Sequence, residues 1–216
     1  MTTPPPPARR RLRIGFVPGV TLTKWRTVWK ERFPRVPLDV VEVSEAGQRR
    51  VLDAGEVDLC FVRLPVDPDG LHVIPLYEEV PVAWIAKDHP LADLDSVARA
   101  DLADQEVFEA VDPHTIDLVV LTGAVLIVPM SIARTHSRRD LVYRPVTDAP
   151  ATTIGLAWLQ DDPHELADEW IGVVRGRTAN SSRTAQDRTA RGKEEASKPR
   201  PSTRARGHPR RGRPRR

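Results

Sequence analysis

The segment from Leu52 to Pro65 constrains the fold of this chain more than any other. It holds the end of a helix, a turn at Gly55 and then a nearly unbroken apolar run from Val57 to Val62. Such a run is typical of a parallel strand that is covered on both faces. Ligands of open α/β sheets bind beyond the carboxyl ends of such strands, so Arg63 lies where a binding site is expected.

The segments before this run repeat the alternation of strand and helix. Apolar strands are predicted to begin at Leu12 and at Leu38, and each is followed by residues at helical spacing. Thr21 or Thr23 is expected to cap the first helix, and Ser44 is expected to open the second. The resulting β-α-β-α-β order favours parallel strands with right-handed crossovers, so we predict an α/β fold.

The second half of the chain predicts shorter elements that are interrupted by prolines. Thr115 is expected to cap one helix, Gly123 to end it, and Asp162 with Pro163 to start a closing helix. The other predicted elements are extended segments at 71–76 and 80–86, a short helix at 96–103, strands at 106–111, 124–128 and 156–159, and a helix from 129 to 136.

Charge divides the chain into two parts. Residues 175–216 contain 15 Lys+Arg and 3 Asp+Glu, a net charge of +12, which leaves −9 for residues 1–174 of the total of +3. We therefore predict an acidic folded body with a strongly basic tail. Residues 1–11, a proline run followed by arginines, and residues 178–216 are too polar to bury a core and are predicted to be disordered.

The sequence predicts a soluble, cytoplasmic protein. Its longest run without charge, 118–133, is shorter than the roughly 20 residues that a membrane helix needs. The amino terminus lacks the apolar region of a signal peptide. A lone Cys60 cannot form an internal disulfide, which fits a reducing compartment.

Six motifs follow one another along the chain: LRIGFV at 12–17, ERFPRVPLDVVE at 31–42, LDAGEVDLCFVR at 52–63, DGLHVIPLYEE at 69–79, HPLA at 89–92 and VLIVPMSIAR at 125–134. Taken together in their order and spacing, they resemble the effector-binding domain of LysR-type transcriptional regulators. The resemblance covers about Leu12 to Arg177.

This resemblance implies a two-lobed fold like that of the type 2 periplasmic binding proteins, with two crossing strands between the lobes. Lobe one would comprise residues 12–83 and 161–176, and lobe two residues 84–158. A small-molecule effector, expected to be anionic, would bind between the lobes. The effector-binding residues that the resemblance implies are Gly19, Thr21, Thr23, Ser44, Glu45, Arg63, Leu64, Met130, Ser131 and Thr147.

The resemblance also implies a partner protein. Members of the family pair their subunits through the helix after the first strand, so Trp25 and Trp29 are candidates for a dimer face, although their spacing equally fits core packing. The partner would be a second copy of the chain or a full-length regulator of the family.

Two departures from the family pattern shape the expected function. Structure is predicted to start at Leu12, so we expect the winged helix-turn-helix of the family to be absent and the domain to stand alone. Between Phe108 and Gly123 there are only 14 residues, so we expect a shortened second lobe that lacks a helix and a strand.

Other candidate residues have simpler explanations than chemistry. Cys60 lies in the middle of a predicted strand and is expected to be a core residue. The threonines of the segment 21–24 are better explained as helix caps than as nucleophiles. The segment 164–168 is one histidine short of a zinc motif. We therefore predict no enzymatic activity, no metal and no cofactor.

The end of the tail suggests an alternative function. Its Arg-Gly-Arg-Pro sequence resembles the core of AT-hook peptides, which lie in narrow minor grooves. A solvated tail is the simpler interpretation, but twelve net positive charges would also bind nucleic acid in a salt-dependent way. The candidate nucleic-acid residues are Arg210, Arg211, Gly212, Arg213, Pro214 and Arg215. In that alternative the folded domain would serve for dimerisation.

Overall fold

A computed structural model describes residues 11–176 of the chain. The predictions made for residues 1–10 and for the basic tail lie outside the described residues. In chain order the strands and helices are β1 Leu12–Phe16, α1 Thr23–Arg32, β2 Leu38–Glu42, α2 Gln48–Asp53, β3 Leu59–Arg63, β4 Leu71–Glu79, β5 Pro81–Ala86, β6 Val107–Phe108, α3 Pro113–Thr122, β7 Val125–Pro129, α4 Met130–Thr135, β8 Leu141–Pro145, β9 Thr152–Leu159 and α5 Ala167–Val174. Short 3-10 turns lie at Glu45–Gly47, Pro90–Asp93 and Arg99–Leu102.

The first sheet of the described residues has five strands in the order β2-β1-β3-β9-β4. Strand β1 pairs in parallel with β2 and with β3, so that Ile14 lies opposite Leu59. Strand β9 runs antiparallel to β3 and β4. The predicted β-α-β-α-β order and its parallel pairing are therefore confirmed, and β3 is buried along its whole length.

The second sheet of the described residues has four strands in the order β6-β7-β5-β8. The chain passes from the first sheet to the second between Glu79 and Pro81, and it returns between Pro145 and Thr152. The chain therefore has the two α/β lobes and the two crossovers that were predicted, but β9 belongs to the first sheet, so the predicted end of lobe two at residue 158 was wrong. The 14 residues between Phe108 and Gly123 comprise a short connection and the ten-residue helix α3, and β7 begins soon after that helix.

The core of the first lobe is aromatic. Trp29, Phe61 and Trp170 are almost completely buried between the first sheet and helices α1 and α5. The Trp170 ring lies edge-on to Trp29 at a centroid distance of 5.5 Å and to Phe61 at 6.4 Å, a geometry that aromatic pairs favour. This packing attaches the closing helix α5 to the first lobe.

Strand β4 contains an irregularity near the crossover. Its pairing with β9 shifts between Pro75 and Tyr77, so that one extra residue is inserted in β4. Side chains alternate between the faces of a strand, and one inserted residue reverses that alternation. Beyond the bulge, Tyr77 lies opposite Ile154 and Glu79 lies opposite Thr152.

Several predicted helix boundaries were wrong. The residue before α1 is Leu22, and no side chain caps that helix. Helix α3 is capped by Asp112 rather than Thr115, because the Asp112 carboxylate accepts hydrogen bonds from the N–H groups of His114 at 2.9 Å and Thr115 at 3.0 Å. Gly123 ends α3 in the left-handed conformation, as predicted.

The last part of the chain also differs from the prediction. Helix α5 begins at Ala167 rather than at Asp162, since a turn in which His164 Nδ1 accepts the Leu166 N–H precedes it. Strand β8 was not predicted at all. Within residues 11–176, no helix has the length and apolar character that crossing a membrane requires.

Candidate functional site at the junction of the lobes

Arg63 is the centre of a polar network where the two lobes meet. It is the last residue of β3, and only 4% of its side chain is exposed. Its Nε and Nη2 atoms donate to Glu79 Oε2 at 3.0 and 2.9 Å, and its Nη1 donates to Glu45 Oε2 at 3.0 Å. Nη2 also donates to the Pro18 carbonyl at 3.0 Å. Every nitrogen of the guanidinium therefore has an acceptor within the chain.

Glu79 connects the two lobes through its carboxylate. It is the last residue of β4, immediately before the crossover, and its side chain is 3% exposed. One oxygen accepts from Arg63 of the first lobe, and the other accepts from the hydroxyl of Ser131 on α4 of the second lobe. A buried carboxylate needs such partners, because an unpaired buried charge is strongly unfavourable.

Glu45 is the exposed member of the network. Its side chain is 55% exposed, whereas the arginine that it contacts is buried. Ser44 positions the Glu45–Gly47 turn, because its hydroxyl oxygen accepts the Gly47 N–H at 3.2 Å. The Arg63 side chain is thus held by one buried carboxylate and one that solvent reaches.

The Pro18–Gly19 loop closes the junction from the first lobe. Gly19 has a φ of 91°, and a Cβ atom added there would lie 2.5 Å from Ser131 Oγ. Only glycine fits this conformation and this approach without displacement. The backbone of one lobe is therefore in direct contact with α4 of the other.

Gln48 fixes the backbone of Arg63 from α2. Its amide nitrogen donates to the Arg63 carbonyl at 2.9 Å, and its amide oxygen accepts the Arg63 N–H at 2.9 Å. Sequence reasoning missed both Gln48 and Glu79. The sequence held two signals for them: Gln48 lies on the apolar face of a predicted helix, and Glu79 lies where the chain crosses between the predicted lobes.

Thr152 is a further residue that the sequence did not reveal. It lies directly opposite Glu79 across the β4–β9 ladder. Its hydroxyl oxygen is buried and has no hydrogen-bond partner in the part of the chain that the structure describes. The junction therefore includes an unsatisfied hydroxyl beside a buried carboxylate.

The other predicted effector residues lie outside this network. Thr21 and Thr23 are exposed in the loop before α1 and at its start, and Thr147 is exposed and contacts the Val97 carbonyl through its hydroxyl at 3.4 Å. Leu64 and Met130 are half-buried. The effector-binding role of all ten residues stays a prediction.

The structure corrects the assignment of Trp29 to a dimer face. Its side chain is 1% exposed and packs in the first-lobe core. Trp25 is half-buried, and its ring stacks on Phe61 at 4.7 Å. The outward side of α1 borders a groove of about 820 Å³ whose lining includes Arg26 and Lys30. Pairing of subunits through α1 stays a prediction, and it would use these outward residues.

Cys60 is a core residue of the first sheet. It is completely buried, and burial raises the pKa of its thiol to about 12, so it stays protonated at neutral pH. Across residues 11–176, no three His, Cys, Asp or Glu side chains converge as metal ligands would.

Comparison with known proteins identifies the family. A family model described as the LysR substrate binding domain matches residues 6–115, just over half of the chain. The chain belongs to this family. The solved structure of reduced OxyR superimposes on this LysR substrate-binding domain with a TM-score of 0.65 at 23% identity, over 78% of this chain and 96% of the chain in that structure. The BenM effector binding domain with its effector benzoate gives 0.65 at 19% identity, over 80% and 94%.

Curated relatives of this LysR substrate-binding domain are transcription regulators by name. The Hca operon transcriptional activator HcaR of Escherichia coli is 23% identical over 206 residues, which cover 79% of this chain and 69% of HcaR. A probable hydrogen peroxide-inducible genes activator of Mycobacterium avium is 34% identical over 101 residues, which cover 45% of this chain and 32% of that protein. The chain thus spans between a third and about two thirds of the length of these relatives.

Proposed function

We propose that this LysR substrate-binding domain is a sensor in transcription regulation and that it binds a small carboxylate at the junction of its lobes. The proposal that the ligand is a carboxylate rests on one observation. The exposed carboxylate of Glu45 contacts Nη1 of the buried Arg63 at 3.0 Å. A carboxylate that solvent reaches is therefore already bound to the Arg63 guanidinium.

Replacement of the Glu45 carboxylate at Arg63 by the carboxylate of a ligand is physically reasonable. Only the Glu45 end of this ion pair is exposed, so water can solvate the Glu45 carboxylate when a ligand carboxylate takes its place on the Arg63 guanidinium. Glu79, by contrast, is buried and would keep its contacts with Arg63. The names of the relatives, and benzoate as the effector of the structurally similar BenM, support the same class of function.

Replacing Glu45 with glutamine is expected to strengthen carboxylate binding. The substitution removes the internal competitor and one negative charge, so affinity should rise by about two- to fivefold. Benzoate and a panel of aliphatic mono- and dicarboxylates would first be screened by thermal shift on the full chain. Isothermal titration calorimetry would then compare the wild type with Glu45→Gln.

The exposed Glu42, at the end of β2, offers a matched control, and Glu42→Gln should leave the affinity unchanged. If Glu45→Gln weakens binding, Glu45 is a ligand contact rather than a competitor. If no carboxylate of the panel binds the wild type or the variant, the proposed ligand class is wrong.

The composition of the tail favours a second candidate function, binding of nucleic acid. Residues 175–216 carry a net charge of +12 and contain the Arg-Gly-Arg-Pro sequence at 211–214. Charge alone gives binding that weakens steeply with salt, whereas minor-groove recognition of this kind inserts arginines and favours A·T tracts.

Fluorescence anisotropy separates these two modes. Full-length protein is expected to bind A·T-rich and G·C-rich duplexes with a steep salt dependence, and changing Arg210, Arg211, Arg213 and Arg215 to glutamine should reduce that slope by about four. Changing the same four residues to lysine keeps the charge and is the matched control. Loss of an A·T preference in the lysine variant would support groove recognition, and equal binding by the wild type and the glutamine variant would contradict the tail hypothesis.

A further inference from the structure

Any movement of one lobe relative to the other would change the hydrogen bonds of the Glu79 carboxylate. It belongs to the first sheet, but its partners come from both lobes: Arg63 from the first and Ser131 from the second. Separation of the lobes would leave the Arg63 contact in place and remove the Ser131 hydroxyl. One buried carboxylate oxygen would then lose its donor, which is unfavourable.

A replacement donor lies directly across the sheet. Thr152 is opposite Glu79 in the β4–β9 ladder, and directly opposed residues have Cβ atoms about 4.5–5.5 Å apart. Thr152 lies two residues before Ile154, which is opposite Arg63, so the side chains of Thr152, Glu79 and Arg63 share one face of the first sheet. Thr152 also moves with the first lobe, because β9 belongs to that sheet.

The Thr152 hydroxyl is available to act as this donor. Its oxygen is buried, and within the described residues it has no hydrogen-bond partner. A buried hydroxyl without a partner costs free energy, and a threonine hydroxyl can donate by rotation of its side chain. The hydroxyl is therefore unsatisfied in the arrangement in which Ser131 holds Glu79.

We propose that Glu79 is a latch with two positions. In the closed arrangement seen here it accepts the Ser131 hydroxyl, and in an open arrangement it accepts the Thr152 hydroxyl. Each state then satisfies the buried carboxylate with a different donor, so the lobes exchange between two discrete arrangements rather than deforming continuously. The inference concerns the chain alone and holds whatever ligand the junction takes.

The two hydroxyls should have opposite effects on the equilibrium. Ser131→Ala removes the donor of the closed state, so the ratio of open to closed molecules should rise by about tenfold. Thr152→Val removes the donor of the open state and should lower that ratio below the wild-type value. Gly19→Ala, whose added Cβ would meet Ser131, provides an independent open reference.

Distances between spin labels measure this ratio without a ligand. The labels would be attached to Asp53→Cys in the first lobe and Leu121→Cys in the second, both exposed positions, whereas the native Cys60 is completely buried. Pulsed electron–electron double resonance on the full chain would compare the wild type, Ser131→Ala, Thr152→Val and Gly19→Ala. Ser137→Ala, after the end of α4, and Thr153→Val, next to Thr152, are the controls and should match the wild type.

The expected result is a longer-distance population in Ser131→Ala and Gly19→Ala, and a smaller one in Thr152→Val. An unchanged distribution in Ser131→Ala would overturn the proposal, and so would opening in Thr152→Val. Hydrogen exchange of residues 17–22 gives a second measure that needs no labels, and it should speed up in Ser131→Ala and not in Thr152→Val. Because no ligand is used, failure here is distinct from failure of the carboxylate titration.

Discussion

Replacing Arg63 with methionine is expected to lower the free energy of unfolding by about 3–5 kcal/mol. The Arg63 and Glu79 side chains are 4% and 3% exposed, so water cannot solvate the carboxylate once its partner is removed. The substitution also removes the donors to Glu45 and to the Pro18 carbonyl. Urea denaturation followed by circular dichroism measures the effect.

The double variant Arg63→Met with Glu79→Leu tests the cause of that loss. A buried ion pair replaced as a whole by apolar side chains is often neutral, so the double variant should recover most of the stability. Arg50→Met is the matched control, because the Arg50–Glu56 pair is 65% and 50% exposed and should contribute little to stability. A double variant as unstable as Arg63→Met would mean that shape, not the unpaired charge, dominates.

Replacing Trp170 with alanine is expected to cost about 3–5 kcal/mol of stability. The indole is completely buried, and it fills the space between α1, β3 and α5 in contact with Trp29 and Phe61. Removing it leaves a cavity at the attachment of α5 to the first lobe. Thermal and urea unfolding of the full chain would report the loss.

Trp170→Phe should cost much less than Trp170→Ala. The indole Nε1 is buried without a hydrogen-bond partner among the described residues, so phenylalanine keeps most of the aromatic contact and removes an unsatisfied donor. Trp158, half-buried beside His72, is a suitable control, and its change to alanine should cost less than that of Trp170. Equal losses for the alanine and phenylalanine variants would show that the N–H group has a partner after all.

The first lobe could be predicted from the sequence because its signals are local. The continuous apolar run of β3, the glycine turn at Gly55 and the helical spacing after Leu12 each lie within a dozen residues. Strand β8 could not be predicted in this way. Leu141–Pro145 is short and ends in proline, and it is a strand because it pairs with the edge of β5, which lies far away in the chain.

The position of Arg63 could be predicted, but its environment could not. A strand end identified the residue, whereas its partners Glu45 and Glu79 are 18 and 16 residues away in sequence. Which carboxylates reach a guanidinium depends on how sheets and loops meet in three dimensions, and no local pattern encodes that. The same holds for Thr152, which is significant only because β9 places it opposite Glu79.

Because of the inserted residue in β4, the number of residues between Pro75 and Glu79 determines on which face of the sheet the Glu79 side chain lies. Before Pro75, even-numbered side chains of β4 such as Ile74 face the aromatic core, and after the inserted residue odd-numbered ones such as Glu79 face that side. Deleting one residue there would keep every functional side chain in the sequence and still turn the Glu79 carboxylate to the opposite face of the sheet. In this region a comparison of related sequences has to align the spacing from Pro75 to Glu79 before it compares residue identities, because a glutamate at a different spacing is a different structural position.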